Sequence, residues 1–109
     1  MDSQEKVAQI TRKLLNLGQM LPGSISEQWN VCGTAGCKCK DSATPKKHGP
    51  YYQLSFSVGG RSSSMFIRKA DISEARRRVK SYQEFKKLTT ELIQANVELI
   101  RKKGFGRRT

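Results

Sequence analysis

Residues 51–68 read YYQLSFSVGGRSSSMFIR, and this stretch decides the fold. Gly59-Gly60 supplies two adjacent residues able to take positive φ, as a two-residue primed hairpin turn requires. A turn there sets Val58 opposite Arg61, Phe56 opposite Ser63, Leu54 opposite Met65 and Tyr52 opposite Ile67. Successive residues of a strand point to opposite sides, so these pairs share one mainly apolar face. The other face carries Ser57/Ser62, Ser55/Ser64, Gln53/Phe66 and Tyr51/Arg68. The stretch is predicted to be a two-stranded β-hairpin with one packing face and one flat, polar face.

Upstream, residues 22–50 hold all three cysteines and the single histidine. The spacing is Cys32-x4-Cys37-x-Cys39-x8-His48. Three thiolates and one imidazole form a closed tetrahedral Zn2+ shell of the structural kind, so a Cys3His zinc knuckle is expected. Gly33 and Gly36 let the chain fold back so that its sulfurs face one centre. Two other readings compete: small buried hydrophobes beside a surface histidine, or a redox pair with a spare thiol. Against both, the four residues cluster in a segment too polar and glycine-rich to be core. An odd cysteine count also argues against a closed disulfide framework. Four protein ligands leave no open position for an activated water, so the metal is expected to be structural.

Downstream, residues 71–103 are predicted to form one long helix, because no Pro or Gly interrupts Ile72 to Lys103 and Gly104 stands at the capping position. About 30 helical residues span roughly 45 Å. Ile72, Ala75, Val79 and Tyr82 make a first seam, and Phe85, Leu88, Leu92, Ala95 and Leu99 continue as a heptad run. Ile93, Val97 and Ile100 lie on a different side. Segment 1–21 carries Val7, Ile10, Leu14, Leu17 and Leu21 in steps of 3, 4, 3 and 4, an amphipathic helix over 4–20 stopped by Pro22-Gly23. A helix apolar on two sides needs two partners. The N-terminal helix is one, and the same helix of a second subunit is the other, with Leu88, Leu92, Ile93, Val97, Leu99 and Ile100 as interface candidates. The expected fold is α+β in a single domain, 1–109, ending in a basic tail at 104–109.

The 109-residue chain carries 21 Lys+Arg against 9 Asp+Glu, a formal net charge of +12. Residues 1–31 are neutral, whereas 32–67 hold five basic residues and one acidic, and 68–109 hold thirteen and five. This asymmetry points to a polyanion: DNA first, with RNA as the other partner the charge would suit. The nucleic-acid candidates are Lys38, Lys40, Lys46, Lys47, Gln53, Arg61, Arg68, Lys69, Arg76, Arg77, Lys80, Lys87, Arg107 and Arg108. On a straight helix Lys69, Arg76, Lys80 and Lys87 share one stripe flanked by Arg77, and below it the stripe turns to Glu91, Gln94 and Glu98. A solvated face is the alternative for that stripe. A two-stranded ribbon fits the major groove, so Gln53, Tyr51 and the hairpin serines are candidates for base or sugar contacts. Catalysis is not expected. The only histidine is assigned to metal, and no paired carboxylates suit two-metal chemistry. No apolar run is long enough to span a bilayer and no secretory pattern opens the chain, so a cytoplasmic protein is expected.

The motifs LPGSISEQW, the CG-x3-CKC cluster, HGPYYQLSFSVGGR and the following FIRK, over roughly residues 20–70, resemble an uncharacterised family of small bacterial and archaeal proteins often encoded among mobile elements. The resemblance implies a prokaryotic or mobile-element origin and a metal knuckle leading into a hairpin, without an activity. Two functions follow as expectations. One is a zinc-stabilised, dimeric DNA-binding protein of little sequence specificity. The other is an accessory or adaptor subunit that adds DNA affinity to a larger nucleic-acid enzyme, such as a transposase or an RNA-guided nuclease of the Cas9 type.

Overall fold

The computed structural model describes residues 2–30, 35–40 and 46–106. Helix α1 (Ser3–Leu15) is followed by strands β1 (Ser24–Asn30), β2 (His48–Val58) and β3 (Arg61–Ile67), then by helix α2 (Ile72–Lys103). Single 3-10 turns occupy Lys38–Lys40 and Lys69–Asp71. The chain divides into two compact units, one of residues 1–21 with 80–109 and one of residues 22–79.

In the first unit, Asp2 caps α1: its Oδ1 accepts a 2.8 Å hydrogen bond from the Glu5 N–H, satisfying one of the helix's unpaired donors. Glu5 in the first turn and Arg12 and Lys13 in the last complement the helix dipole. The heptad side chains then meet as anticipated. Ile10, Leu88 and Ala95 are buried together, with Val7, Leu14, Leu17 and Leu92 packed around them. Burying each large aliphatic group of this kind stabilises by about 1.5–3 kcal/mol.

The helix is shorter than the 4–20 its periodicity suggests. Asn16 bonds back to the Lys13 carbonyl at 3.2 Å and Leu17 to Leu14 at 3.3 Å, tightening the last turn. Gly18 then takes φ +72°, a left-handed conformation that ends the helix without a Cβ penalty. Leu17 still reaches the core from beyond the helix end, whereas Leu21 is not part of that cluster.

In the second unit the sheet has three antiparallel strands in the order β1-β2-β3, so the expected two-stranded hairpin is corrected. The β2–β3 register is the one the Gly59-Gly60 turn dictates, from Val58↔Arg61 through Leu54↔Met65 to Tyr52↔Ile67. The addition is β1, from Ser24↔Ser55 to Asn30↔His48, in a segment expected to be irregular. Its physical basis is the open edge of β2: an isolated hairpin is marginal in water, and β1 satisfies a row of unpaired N–H and C=O groups.

Strand alternation gives the sheet two unlike faces. Ile25, Tyr52, Leu54, Phe56, Met65 and Ile67 share one. Leu54 is fully buried there, and Ala75 and Val79 of α2 are also buried. Arg76 stands 5.7 Å above the Tyr52 ring, which sets the first turns of α2 beside this face. The opposite face presents exposed Ser24, Ser26, Ser55, Ser57, Ser62 and Ser64. α2 closes where the Gly104 N–H bonds to the Ile100 carbonyl at 2.7 Å.

Candidate metal centre and basic surface

The pairing of β1 with β2 slips between Gln28 and Asn30, where Trp29 faces two residues of β2, Gly49 and Pro50, so that β2 carries the bulge. Bulges bend a strand and re-aim its neighbours. Gly49 has φ +143°, and a Cβ there would lie 2.7 Å from the Gln28 carbonyl oxygen and 3.1 Å from the Trp29 ring. Only glycine lets the tryptophan lie against the backbone at this point. The next ladder pair, Asn30↔His48, fixes the imidazole at the head of β2.

Two backbone bonds bring the cysteines to it. Lys40 N–H donates to the Cys37 carbonyl at 3.0 Å, closing the 3-10 turn, and Lys46 N–H donates to the Lys38 carbonyl at 2.9 Å. The second bond returns the chain to the turn just before His48. As a result His48 Nε2 lies 3.3 Å from Cys37 Sγ. The donor atoms of Cys37, Cys39 and His48 all fall within 4.8 Å of one another, a group able to hold a metal ion. Cys39 is buried, while Cys37 and His48 are half-buried. The fourth expected ligand, Cys32, lies outside the described residues.

The basic candidates fall in several places. Lys38 and Lys40 are exposed beside Cys39, and Lys46 and Lys47 are exposed just before His48. Arg61 is exposed at the hairpin tip. Arg68 Nε sits 3.1 Å from Asp71, and Arg77 sits 3.1 Å from Glu74, which also meets Arg78 at 3.4 Å. These exposed pairs are worth little and leave both arginines open to a phosphate. Arg76, Lys80 and Lys87 are exposed on α2, but Lys69 belongs to the preceding 3-10 turn and not to the helix. Arg107 and Arg108 lie outside the described residues.

Gln53 departs from its expected role. Its Oε1 accepts from Gln28 Nε2 at 2.7 Å and its Nε2 donates to Ser64 at 3.1 Å. The amide thus ties the three strands together and has little left for a base edge. Gln28 and Trp29 were not among the sequence candidates. SISEQWN at 24–30 offers only Ile25 and Trp29 as apolar positions, too weak an alternation to have put them on a strand.

Together these features define a small α+β protein with a Cys–His cluster at the head of a three-stranded sheet. The chain belongs to the family described as Domain of unknown function (DUF6788), which matches residues 2–77. No curated protein and no solved structure matches it. The matched segment ends in the first turns of α2, so it takes in the cluster and the whole sheet.

The Gly49 geometry sets a test of how the cluster is held. Gly49→Ala should lower stability by about 1–3 kcal/mol, because the backbone is strained for any other residue and the Trp29 ring must move. Urea unfolding followed by Trp29 emission measures this, and a native-state shift in that emission should accompany the loss.

Proposed function

We propose that this chain is a zinc-stabilised protein that binds DNA through its basic surface with little sequence specificity and self-associates through α2. The observation that carries the reading is the Cys37–Cys39–His48 cluster flanked by exposed lysines in a unit otherwise rich in cations. Residues 22–79 contain ten Lys and Arg against four Asp and Glu.

The donor set suits zinc. With Zn–S of about 2.3 Å and Zn–N of about 2.0–2.1 Å, tetrahedral ligand atoms stand roughly 3.5–3.8 Å apart. The 3.3 Å separation of His48 Nε2 and Cys37 Sγ is within a few tenths of an ångström of that. Cys32 completes the proposed Cys3His set, five residues upstream of Cys37. Three thiolates around one Zn2+ leave a net charge of about −1, which Lys38, Lys40, Lys46 and Lys47 are placed to offset. The expected outcome is about one zinc per chain by elemental analysis of protein purified without chelators. Cys39→Ser and His48→Ala should abolish it and lower stability by several kcal/mol, since structural zinc binding is coupled to folding.

DNA affinity then rests on phosphate neutralisation, which is insensitive to sequence and steep in salt. Replacing Arg76, Arg77 and Lys80 together with Ala should weaken binding to unrelated duplexes alike. It should also flatten the plot of log K against log salt by up to about three units, as mobility shifts across a salt series would record. RNA is the other polyanion this surface would accept, and the same titration on an RNA duplex separates the two.

A specific feature of α2 supports self-association and keeps an adaptor role as the second reading. α1 covers the Leu88–Leu92 seam, which removes those leucines from the interface candidates. Ile93, Val97 and Ile100 remain 63%, 43% and 38% exposed at i, i+4 and i+7 of the helix. An apolar stripe of this kind marks a protein contact. A second copy of α2 is the proposed cover, whereas in the adaptor reading a larger nucleic-acid enzyme supplies it. Sedimentation equilibrium should give a dimer that Val97→Asp converts to a monomer. A wild-type monomer at tens of micromolar would favour the adaptor role.

A further inference from the structure

The sheet face turned away from Leu54 carries two exposed aromatic residues, one on each strand of the hairpin. Tyr51 on β2 and Phe66 on β3 are 45% and 71% exposed. Phe66 pairs with Gln53, two residues along β2 from Tyr51, and so shares its face as a diagonal neighbour. The surface beside them is flat and fixed, because Gln28, Gln53 and Ser64 are hydrogen-bonded in series across the strands. Single exposed aromatics are ordinary on a protein surface, but two set as diagonal neighbours towards one end of a serine-lined sheet offer a pair of adjoining rings.

Cations gather at the same end. Lys46 and Lys47 immediately precede β2, and Arg68 immediately follows β3, next to the Tyr52↔Ile67 pair. All three are exposed. Aromatic rings flanked by positive charge suit unpaired bases, whose faces stack on the rings while their phosphates meet the cations. A duplex cannot use the rings, because its base faces are already stacked.

Two dimensions favour a single strand further. Diagonal neighbours on adjacent strands are about 7–8 Å apart, about twice the 3.4 Å rise of stacked bases. The rings would therefore take bases that are splayed apart. Three strands at about 4.8 Å spacing occupy roughly 14 Å, more than the ~12 Å width of the major groove, so this sheet does not enter the groove as a two-stranded ribbon would.

We infer that the exposed sheet face bearing Tyr51 and Phe66 is a stacking platform for single-stranded nucleic acid. The inference deepens the nucleic-acid reading above and rests on it, adding the strandedness of the ligand and the residues that select it. Bases lie on the rings, with Lys46, Lys47 and Arg68 holding the phosphates. The Gln28–Gln53–Ser64 series keeps the platform level.

Anisotropy titrations with labelled dT15, rU15 and a dA15·dT15 duplex test this on the full-length, metal-loaded protein. Single strands should bind more tightly than the duplex. Tyr51→Ala and Phe66→Ala should each weaken single-strand binding roughly 5- to 150-fold, with the salt slope unchanged because no charge is lost. Tyr51→Phe should restore it, and the duplex affinity of all three variants should stay at the wild-type value. Equal tightness for duplex and single strand, with no effect of either alanine, would overturn the platform while leaving the DNA-binding reading standing. Binding to neither form would overturn both and assign the aromatic face to a protein contact.

Discussion

The backbone ladder between β1 and β2 is the constraint on which the second unit depends. It runs antiparallel from Ser24↔Ser55 to Asn30↔His48, with one slip at Trp29. That ladder ends beside the residues that lead to the cysteines and begins beside the middle of the hairpin. Because His48 is its last partner, the imidazole is held by main-chain bonds before any metal contact is made. The 3-10 turn at Lys38–Lys40 then has only to be drawn in by the Lys46–Lys38 bond for its sulfurs to meet it. The same ladder turns Gln28 towards Gln53, and so levels the exposed face. One strand pairing positions both the cluster and the exposed sheet face.

Little apolar material supports this arrangement. In residues 22–79 the buried hydrophobic residues among those described are Cys39, Leu54, Ala75 and Val79. Two of the four are small, and only Leu54 is a large aliphatic group at the centre of the sheet. Domains with so thin a core usually need a covalent or metal clamp. The Cys–His cluster sits at the end of the sheet away from the hairpin tip, with His48 opening β2 and Cys39 in the 3-10 turn Lys38–Lys40. The other unit is built differently: α1 and α2 interlock Ile10, Leu88 and Ala95 with four further leucine and valine side chains around them. A helical seam supplies there what a metal is proposed to supply in the sheet.

What could be read from the sequence follows from how local each signal was. The hairpin register was legible because Gly59-Gly60 fixes the turn, and one turn fixes every pair beyond it. The Cys–His cluster was legible from chemistry alone, since the spacing left few other uses for those residues. β1 was not, because SISEQWN offers only Ile25 and Trp29 as apolar positions and its strand character comes from the open edge of β2. That is a tertiary cause, and no window along the chain contains it. The end of α1 was missed for a smaller reason: the heptad pattern runs through Gly18, so the apolar period outlasted the helix. Gln53 shows the opposite limit. Its face was correctly placed by the register, but its partner Gln28 stood on the strand that had not been recognised, so its amide seemed available when it was not.

The two proposed nucleic-acid surfaces would act over different ranges. Charge on Lys38, Lys40, Lys46, Lys47 and the α2 arginines acts over about a Debye length, near 8 Å at physiological salt, and draws any polyanion in. Stacking on Tyr51 and Phe66 would act only at contact, and only on a base that is not already paired. A protein with the first alone would hold duplex and single strand by similar forces. One with both would capture either form but retain the one whose bases are free, so discrimination would come from dissociation more than from encounter. The excess thiolate charge of the proposed zinc site would repel phosphate if it were bare, and the four lysines flanking its ligands in sequence would offset that repulsion. In the proposed reading the lysines beside the cluster would serve the metal and the polyanion at once, in a segment with so little else to hold it together.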